Sequence, residues 1–109
     1  MLEKSVEQAL VNEVRNRGGR CLKWVSPGRR GVPDRICLFP GGVVVFVETK
    51  QPGKKIKDGS LQAYWQLELR KLGFAACGCS TTAEARVIAM DAEVESRRRQ
   101  RQAGIPVDE

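Results

Sequence analysis

The sequence contains no histidine in its 109 residues. A histidine general base is therefore excluded, and so are most catalytic zinc sites, which depend on imidazole ligands. The four cysteines include no CxxC pair and lie in apolar, strand-like stretches, at positions 21, 37, 77 and 79. We expect buried free thiols in a reducing compartment, rather than a zinc site or a disulfide framework.

Long apolar runs are also absent. None approaches the roughly 20 residues that a transmembrane helix needs, and the N-terminus lacks the apolar segment of a signal peptide. We therefore expect an intracellular, cytoplasmic protein with no membrane partner. With 41% hydrophobic and 29% charged residues, the composition suits one compact domain with a modest core. The net charge of +6 favours a polyanionic partner, of which nucleic acid is the first candidate.

Two apolar runs, residues 36–39 and 43–47, flank the turn residues Pro40-Gly41-Gly42 and predict a β-hairpin. If the loop has three residues, Asp34 lies opposite Glu48, with Cβ atoms about 5 Å apart on one face of the sheet. A two-residue Gly-Gly loop would instead place Asp34 opposite Thr49. We favour the three-residue loop because it brings the two carboxylates together.

Two carboxylates at that separation repel each other unless a cation neutralises them. Lys50 shares the face of Glu48 if the strand continues. An ammonium group one residue step beyond the pair, however, offsets the repulsion between the two carboxylates only weakly. A divalent metal would offset it better, and hard oxygen donors suit Mg²⁺ or Mn²⁺. The alternative is a hairpin end whose charges are simply solvated.

Pro33-Asp34, followed by Glu48-Thr49-Lys50 at the end of an apolar strand, resembles the PD-(D/E)xK nuclease signature. The longer string from Ser26-Pro27-Gly28 to Pro33-Asp34-Arg35, with the Gly-Gly turn and the strand that follow it, resembles the VRR-NUC branch of these nucleases. The resemblance implies a stand-alone nuclease of viral or bacterial type that acts inside the host cell.

Two further features match that branch. An early helix carries Glu7 ahead of Gly18-Gly19, and Gln62 opens a later helix that ends in Leu72-Gly73. The resemblance therefore extends over about residues 5–90 of the chain. Periodicity alone does not select Glu7, since Glu3 and Glu13 also lie near the edge of the apolar face of the first helix.

The resemblance implies these catalytic residues: Asp34, Glu48, Lys50, Glu7 and Gln62. Asp34 and Glu48 are expected to bind Mg²⁺ or Mn²⁺, with the backbone carbonyl of Thr49 as a further ligand. Glu7 would join through water or a second metal, and a single-metal site is equally compatible. Lys50 would lie beside the attacking water or the scissile phosphate, and the Gln62 amide would orient water or phosphate. No small-molecule cofactor is expected.

Two basic loops flank this motif. One carries Arg29 and Arg30 and leads directly into Asp34, and the other carries Lys54, Lys55 and Lys57 after Lys50; these five residues are predicted to contact DNA. Simple solvation is the alternative for the two arginines. Residues 96–109 are expected to form a basic helix end and tail outside a nuclease domain of residues 1–95.

The predicted order of elements is α-β-β-β-α-β-α, an α/β fold in which helices flank a mixed sheet. The first helix is expected to begin at Ser5, in a capping box with Gln8, and residues 20–25 to form the first strand. Ser60 should cap the second helix, and Thr81 with Glu84 should cap the third. The expected core stripes are Leu61, Trp65, Leu69 and Leu72 on the second helix, and Ala83, Val87, Met90 and Val94 on the third.

The predicted function is a homodimeric, metal-dependent endonuclease acting on branched DNA, with four-way junctions first. Branch shape is the expected target because a single small domain offers little surface for reading sequence. The homodimer follows from the resemblance to junction-resolving enzymes, since two symmetric cuts require two active sites. The alternatives are a non-cutting DNA-binding module of a repair or packaging machine, and an endonuclease of linear duplex.

Overall fold

The computed structural model describes residues 2–107, and the last two residues of the predicted tail lie outside this range. Its elements are α1 (Glu3–Asn16), β1 (Arg20–Lys23), β2 (Arg35–Phe39), β3 (Val43–Thr49), α2 (Leu61–Lys71), β4 (Ala75–Cys79) and α3 (Thr82–Gln102). The predicted order of elements is confirmed. No helix within the described range is long and apolar enough to cross a lipid bilayer.

One four-stranded sheet forms the centre of the protein, in the order β1-β2-β3-β4. The first three strands are antiparallel, and β4 runs parallel to β3 after the crossover through α2. In the β2–β3 hairpin, Phe39 pairs with Val43 and Arg35 with Val47, so the three-residue loop is confirmed. Gly41 and Gly42 both have positive φ, which explains why the tight loop contains two glycines.

The two faces of the sheet pack against different helices. Strand residues 37, 39, 43, 45 and 47 join α1 and α3 in the larger core, to which α1 contributes Val6, Leu10 and Val14. On the opposite face, Phe46 and Ala76 pack with Leu69 of α2 in a smaller cluster. Alternate residues of a strand point to opposite faces, so the apolar hairpin supplies both cores. All four cysteines are free, as expected, but only Cys37 and Cys79 are buried, whereas Cys21 and Cys77 are partly exposed.

The predicted core stripe of α3 was wrong. Val87, Met90 and Val94 are 53%, 44% and 68% exposed, whereas Ala85 and Ala89 are fully buried. The alanine face allows α3 to pack closely against α1 and the sheet, and the larger residues therefore point to solvent. The helix also extends to Gln102 and buries Ser96 and Gln100 within the segment expected to form a basic helix end.

The stripe predicted for α2 was partly wrong. Leu69 is buried, but Leu61 and Leu72 are 55% and 71% exposed. Gln66 lies on the buried face instead, where its Nε2 donates a hydrogen bond to the main-chain oxygen of Cys77, 3.4 Å away. The predicted cap at Ser60 is confirmed, because its side chain accepts a hydrogen bond from the Ala63 N–H.

Two predicted boundaries were also wrong. Helix α1 begins at Glu3, with Leu2 at the N-cap position and no side-chain cap, rather than at a capping box formed by Ser5 and Gln8. Strand β1 ends at Lys23 rather than at residue 25. The earlier start of α1 places Glu3 one helical turn before Glu7, which bears directly on the acidic site.

Candidate active site

Asp34 lies immediately before β2 and reaches across to the end of β3. Its Oδ1 accepts a hydrogen bond from the Thr49 main-chain N–H at 3.0 Å, and its Oδ2 accepts one from the Thr49 hydroxyl at 2.5 Å. Thr49 is fully buried, so both donors are held in place by the sheet. The orientation of the Asp34 carboxylate is therefore fixed by a single residue.

Glu48 is held on the face of the sheet that carries α2. Its Oε2 accepts a hydrogen bond from Gln62 Nε2 at 2.9 Å and lies 3.8 Å from Lys50 Nζ. The side chain is buried, which raises the pKa of Glu48 to about 7; the negative charge of Asp34 contributes to the rise, and Lys50 opposes it. Three of the predicted residues, Glu48, Lys50 and Gln62, thus lie in contact or near contact.

Glu7 approaches Asp34 from α1, on the other face of the sheet. One carboxylate oxygen from each of Glu3, Glu7 and Asp34 lies within 4.8 Å of the other two. Glu7 Oε2 also accepts a hydrogen bond from Arg35 Nη2 at 2.8 Å, and this ion pair is largely shielded from solvent. Asp34 therefore has one acidic neighbour on β3 and two on α1.

The donor set fits a hard divalent cation. Three carboxylates, those of Glu3, Glu7 and Asp34, come together where α1 and β2 begin, beside Arg35. Glu48 lies outside this cluster, at the end of β3 beside Lys50. Because burial and the charge of Asp34 raise the pKa of Glu48, a further positive charge at this position would stabilise its ionised form. Oxygen donors of this kind suit Mg²⁺ or Mn²⁺, whose remaining positions are normally filled by water and substrate phosphate.

The two basic loops begin with the same kind of turn. In Ser26-Pro27-Gly28-Arg29 the Arg29 N–H donates to the Ser26 oxygen at 3.1 Å, and in Gln51-Pro52-Gly53-Lys54 the Lys54 N–H donates to the Gln51 oxygen at 2.9 Å. Each glycine has positive φ, as a type II turn with proline before glycine requires. One turn precedes Asp34 in the chain and the other follows Lys50.

The basic side chains of these loops differ from those of α3. Arg29, Arg30, Lys54, Lys55 and Lys57 are exposed, and none forms an ion pair with another residue of the described range. The arginines at positions 97, 98 and 99 of α3 instead pair with Glu93 or Glu95. The loops therefore present cations that remain available to an anionic ligand.

Three contributors to this site were not predicted from the sequence: Glu3, Arg35 and the Thr49 hydroxyl. The helical spacing of four residues between Glu3 and Glu7 was a usable signal, but Glu3 was set aside because the family resemblance selects Glu7. Arg35 and the Thr49 hydroxyl gave no such signal. Their contacts depend on which face of the sheet α1 covers and on how far Asp34 reaches across the hairpin.

Similarity to known proteins is found in sequence and in fold. No family model matches the chain. Over 65 residues the chain is 58% identical to the p44 protein of Acyrthosiphon pisum secondary endosymbiont phage 1, which is named as a candidate nuclease; the match covers 60% of this chain and 70% of the phage protein. A solved VRR_NUC domain superposes with a TM-score of 0.73 and 25% identity, covering 81% of this chain and 94% of that domain.

The fold, together with the similarity to a VRR_NUC domain and to a phage protein named as a candidate nuclease, identifies a nuclease of the PD-(D/E)xK class. Within that class the chain belongs to the VRR-NUC family.

Proposed function

We propose that the protein is a Mg²⁺- or Mn²⁺-dependent endodeoxyribonuclease that hydrolyses phosphodiester bonds in branched DNA, with four-way junctions as its first substrate, and that it acts as a homodimer. The observation that carries this proposal is the position of Asp34. Its carboxylate is fixed by Thr49, with Glu48 and Lys50 on one side and Glu7 and Glu3 on the other.

Asp34 and Glu48 would hold the cation, with the Thr49 backbone carbonyl as a further ligand and Glu7 through water or a second metal. When bound, the cation supplies a water of lowered pKa and neutralises charge on the phosphate oxygens. Gln62 holds the Glu48 carboxylate in place through a hydrogen bond to Oε2. These polar contacts preserve the geometry of the donors.

Lys50 supplies the remaining positive charge at this end of β3. Its ammonium group lies 3.8 Å from the Glu48 carboxylate and therefore beside the proposed position of the cation. In the proposed reaction it either holds the nucleophilic water or stabilises the charge that develops on the phosphate oxygens. Both roles need the side chain to stay close to the reacting phosphate, and its attraction to Glu48 keeps it there.

The proposed substrate follows from the kind of contacts the surface offers. The cations of the two basic loops are exposed, and arginine and lysine on such loops grip backbone phosphates without reading base sequence. Recognition of branch shape is the expected consequence, and a homodimer would supply one active site for each of two symmetric cuts. The phage origin of the related protein supports action inside an infected bacterial cell.

The test is cleavage of labelled four-way junction, flap and linear duplex DNA in Mg²⁺, Mn²⁺ or EDTA, with wild type and Lys50→Ala compared. We expect metal-dependent cutting of the junction that is lost in the variant while binding is retained. Binding without cutting in either protein would favour a non-cutting module of a repair or packaging machine. Cutting at fixed sequences irrespective of branching would favour a linear-duplex endonuclease, and a monomer in solution would contradict the homodimer.

A further inference from the structure

The loop that carries Arg29 and Arg30 is attached to helix α2 by its main chain. The indole Nε1–H of Trp65 donates a hydrogen bond to the main-chain oxygen of Arg30 at 3.0 Å. The next residue, Gly31, lies directly against Leu61, and a Cβ atom added to Gly31 would come within 2.5 Å of the Leu61 Cβ. Since Gly31 also has a φ of +84°, the close approach and the backbone conformation both call for glycine.

The same loop is also fixed at its two ends. It begins with the type II turn that delivers Arg29, and it ends at Pro33, which is fully buried just before Asp34. Four residue steps separate Arg30 from Asp34, a reach of at most about 14 Å in an extended chain. The main chain is therefore held in place, whereas the two arginine side chains are exposed and have no ion-pair partner among residues 2–107.

Helix α2 connects this loop with the acidic site. Gln62 in its first turn holds Glu48, and Trp65, one turn further along, holds Arg30. A rigid helix that fixes both groups also fixes the distance between them. A loop that is ordered before binding loses less conformational entropy when it binds. Its arginines therefore bind a phosphate more tightly than arginines on a mobile loop would.

We propose that Trp65 is a positioning residue that holds the Arg29–Arg30 loop as a preformed phosphate grip beside the acidic site. The inference rests on the proposed function, in that the ligand is the DNA backbone. Guanidinium groups suit this task because their paired donors match two phosphate oxygens at once. Trp65 itself does not touch the DNA, and its effect on binding must therefore pass through the two arginines.

A double-mutant cycle tests this dependence. The Kd for a labelled four-way junction is measured by fluorescence anisotropy in EDTA, where the proposed chemistry is switched off. Trp65→Phe keeps the aromatic ring but removes the N–H donor, and we expect it to raise Kd about 5-fold, as the loss of one hydrogen bond predicts. In a chain that already carries Arg29→Gln and Arg30→Gln, the same change should alter Kd by less than about 2-fold.

Tyr64→Phe is the matched control. Tyr64 is the adjacent aromatic residue of α2, and its hydroxyl contacts Glu68 of the same helix rather than the loop. We expect its Kd to equal that of wild type. Gly31→Ala disturbs the loop from the side facing Leu61. It should reproduce the arginine-dependent loss of junction affinity, and it can be assayed even if Trp65→Phe proves too unstable.

Kinetics separate positioning from a general loss of structure. In Mg²⁺, Trp65→Phe should raise KM by about the same factor as Kd and leave kcat within about 2-fold of wild type. If Trp65→Phe raised Kd equally in the presence and in the absence of the two arginines, the proposal would be overturned. It would also be overturned if Trp65→Phe raised Kd in neither background. Wild-type protein that binds no DNA would overturn it as well. Binding without cutting would contradict the proposed enzyme but leave the grip intact.

Discussion

Thr49 donates two hydrogen bonds to the carboxylate of Asp34, one to each oxygen, from its main-chain N–H and its hydroxyl. The main-chain donor belongs to β3 and persists for any residue at position 49 other than proline. The hydroxyl is the part that depends on sequence. A fully buried Thr49 is thus the element that aims Asp34 toward the other acids.

Thr49→Val should weaken metal binding about 10-fold, because groups that orient a ligand commonly contribute that much to affinity. The change preserves the size and β-branching of the residue and removes only the hydroxyl. Affinity is measured as the rise in Tm on titration with Mn²⁺ in the absence of DNA. Thr49→Ser restores the hydroxyl and should bind Mn²⁺ nearly as wild type does; equal affinities for the valine and serine variants would contradict the role of the hydroxyl.

The contribution of Glu48 to the stability of the metal-free protein should fall as the pH rises from about 4.5 to about 7. Burial and the charge of Asp34 raise the pKa of Glu48 in the folded chain above its ordinary value. A carboxyl with a raised folded pKa binds more protons in the folded state than in the unfolded state. The stabilisation is therefore complete below the unfolded pKa and is lost as the pH rises through the folded one.

Urea unfolding in EDTA across this range measures the effect. Glu48→Gln is the matched variant, since the amide cannot ionise and is close in size to the carboxyl. Its stability should vary less with pH between about 4.5 and 7 than that of wild type. Parallel curves for the two proteins would show that Glu48 titrates at its ordinary pKa.

The hairpin and its acids were predictable from sequence because local rules determine them. The Pro40-Gly41-Gly42 loop has a length that sets the register, and the register sets which residues of the two strands face each other. Gln62 was predicted as a site residue only because its position in the sequence matches the family pattern. Nothing in a first-turn glutamine predicts a 2.9 Å contact with a strand residue 14 positions earlier.

The packing of α3 was not predictable in the same way. Its sequence offers two candidate faces, one with large apolar residues and one with the alanines at positions 85, 89 and 92. Hydrophobic periodicity favours the larger residues. The protein instead buries the alanines, because α3 must lie close to both α1 and the sheet. Which face is buried depends on the space between elements, and the sequence of one helix does not contain that information.

Arg35→Met should destabilise the metal-free protein by about 1–3 kcal/mol. The change leaves Glu7 without its 2.8 Å partner while Glu3 and Asp34 remain within 4.8 Å of it. The repulsion among the three carboxylates is then no longer offset. Because a divalent cation would supply the missing charge, the rise in Tm with saturating Mn²⁺ should be larger in the variant than in wild type.

Two observations decide this prediction about Arg35. Adding Glu7→Gln to Arg35→Met should recover much of the stability in EDTA, since it removes one of the repelling charges. Arg86→Gln serves as the control, because Arg86 is an exposed arginine with only a 3.9 Å contact to Glu13. A smaller metal-induced rise in Tm in Arg35→Met than in wild type would mean that Arg35 helps to hold the metal site together, rather than replacing the positive charge of the absent cation.

Cations of the lysine loop should matter more for DNA binding than those of α3. Lys54 and Lys55 have no ion-pair partner within residues 2–107, whereas Arg98 lies against Glu95, whose pKa it helps lower to about 2. Combining Lys54→Gln with Lys55→Gln should weaken junction binding about 10-fold. It should also reduce the slope of log Kd against log salt by roughly 0.9 for each phosphate that the variant no longer neutralises.

Arg98→Gln is the control. It removes a cation that Glu95 already neutralises, so its Kd and its salt slope should stay close to those of wild type. Anisotropy titrations at several salt concentrations measure both Kd and the salt slope. If the slope fell equally in the two variants, the absence of a carboxylate partner would not be what decides which cations bind DNA, and their position on the surface would decide it instead.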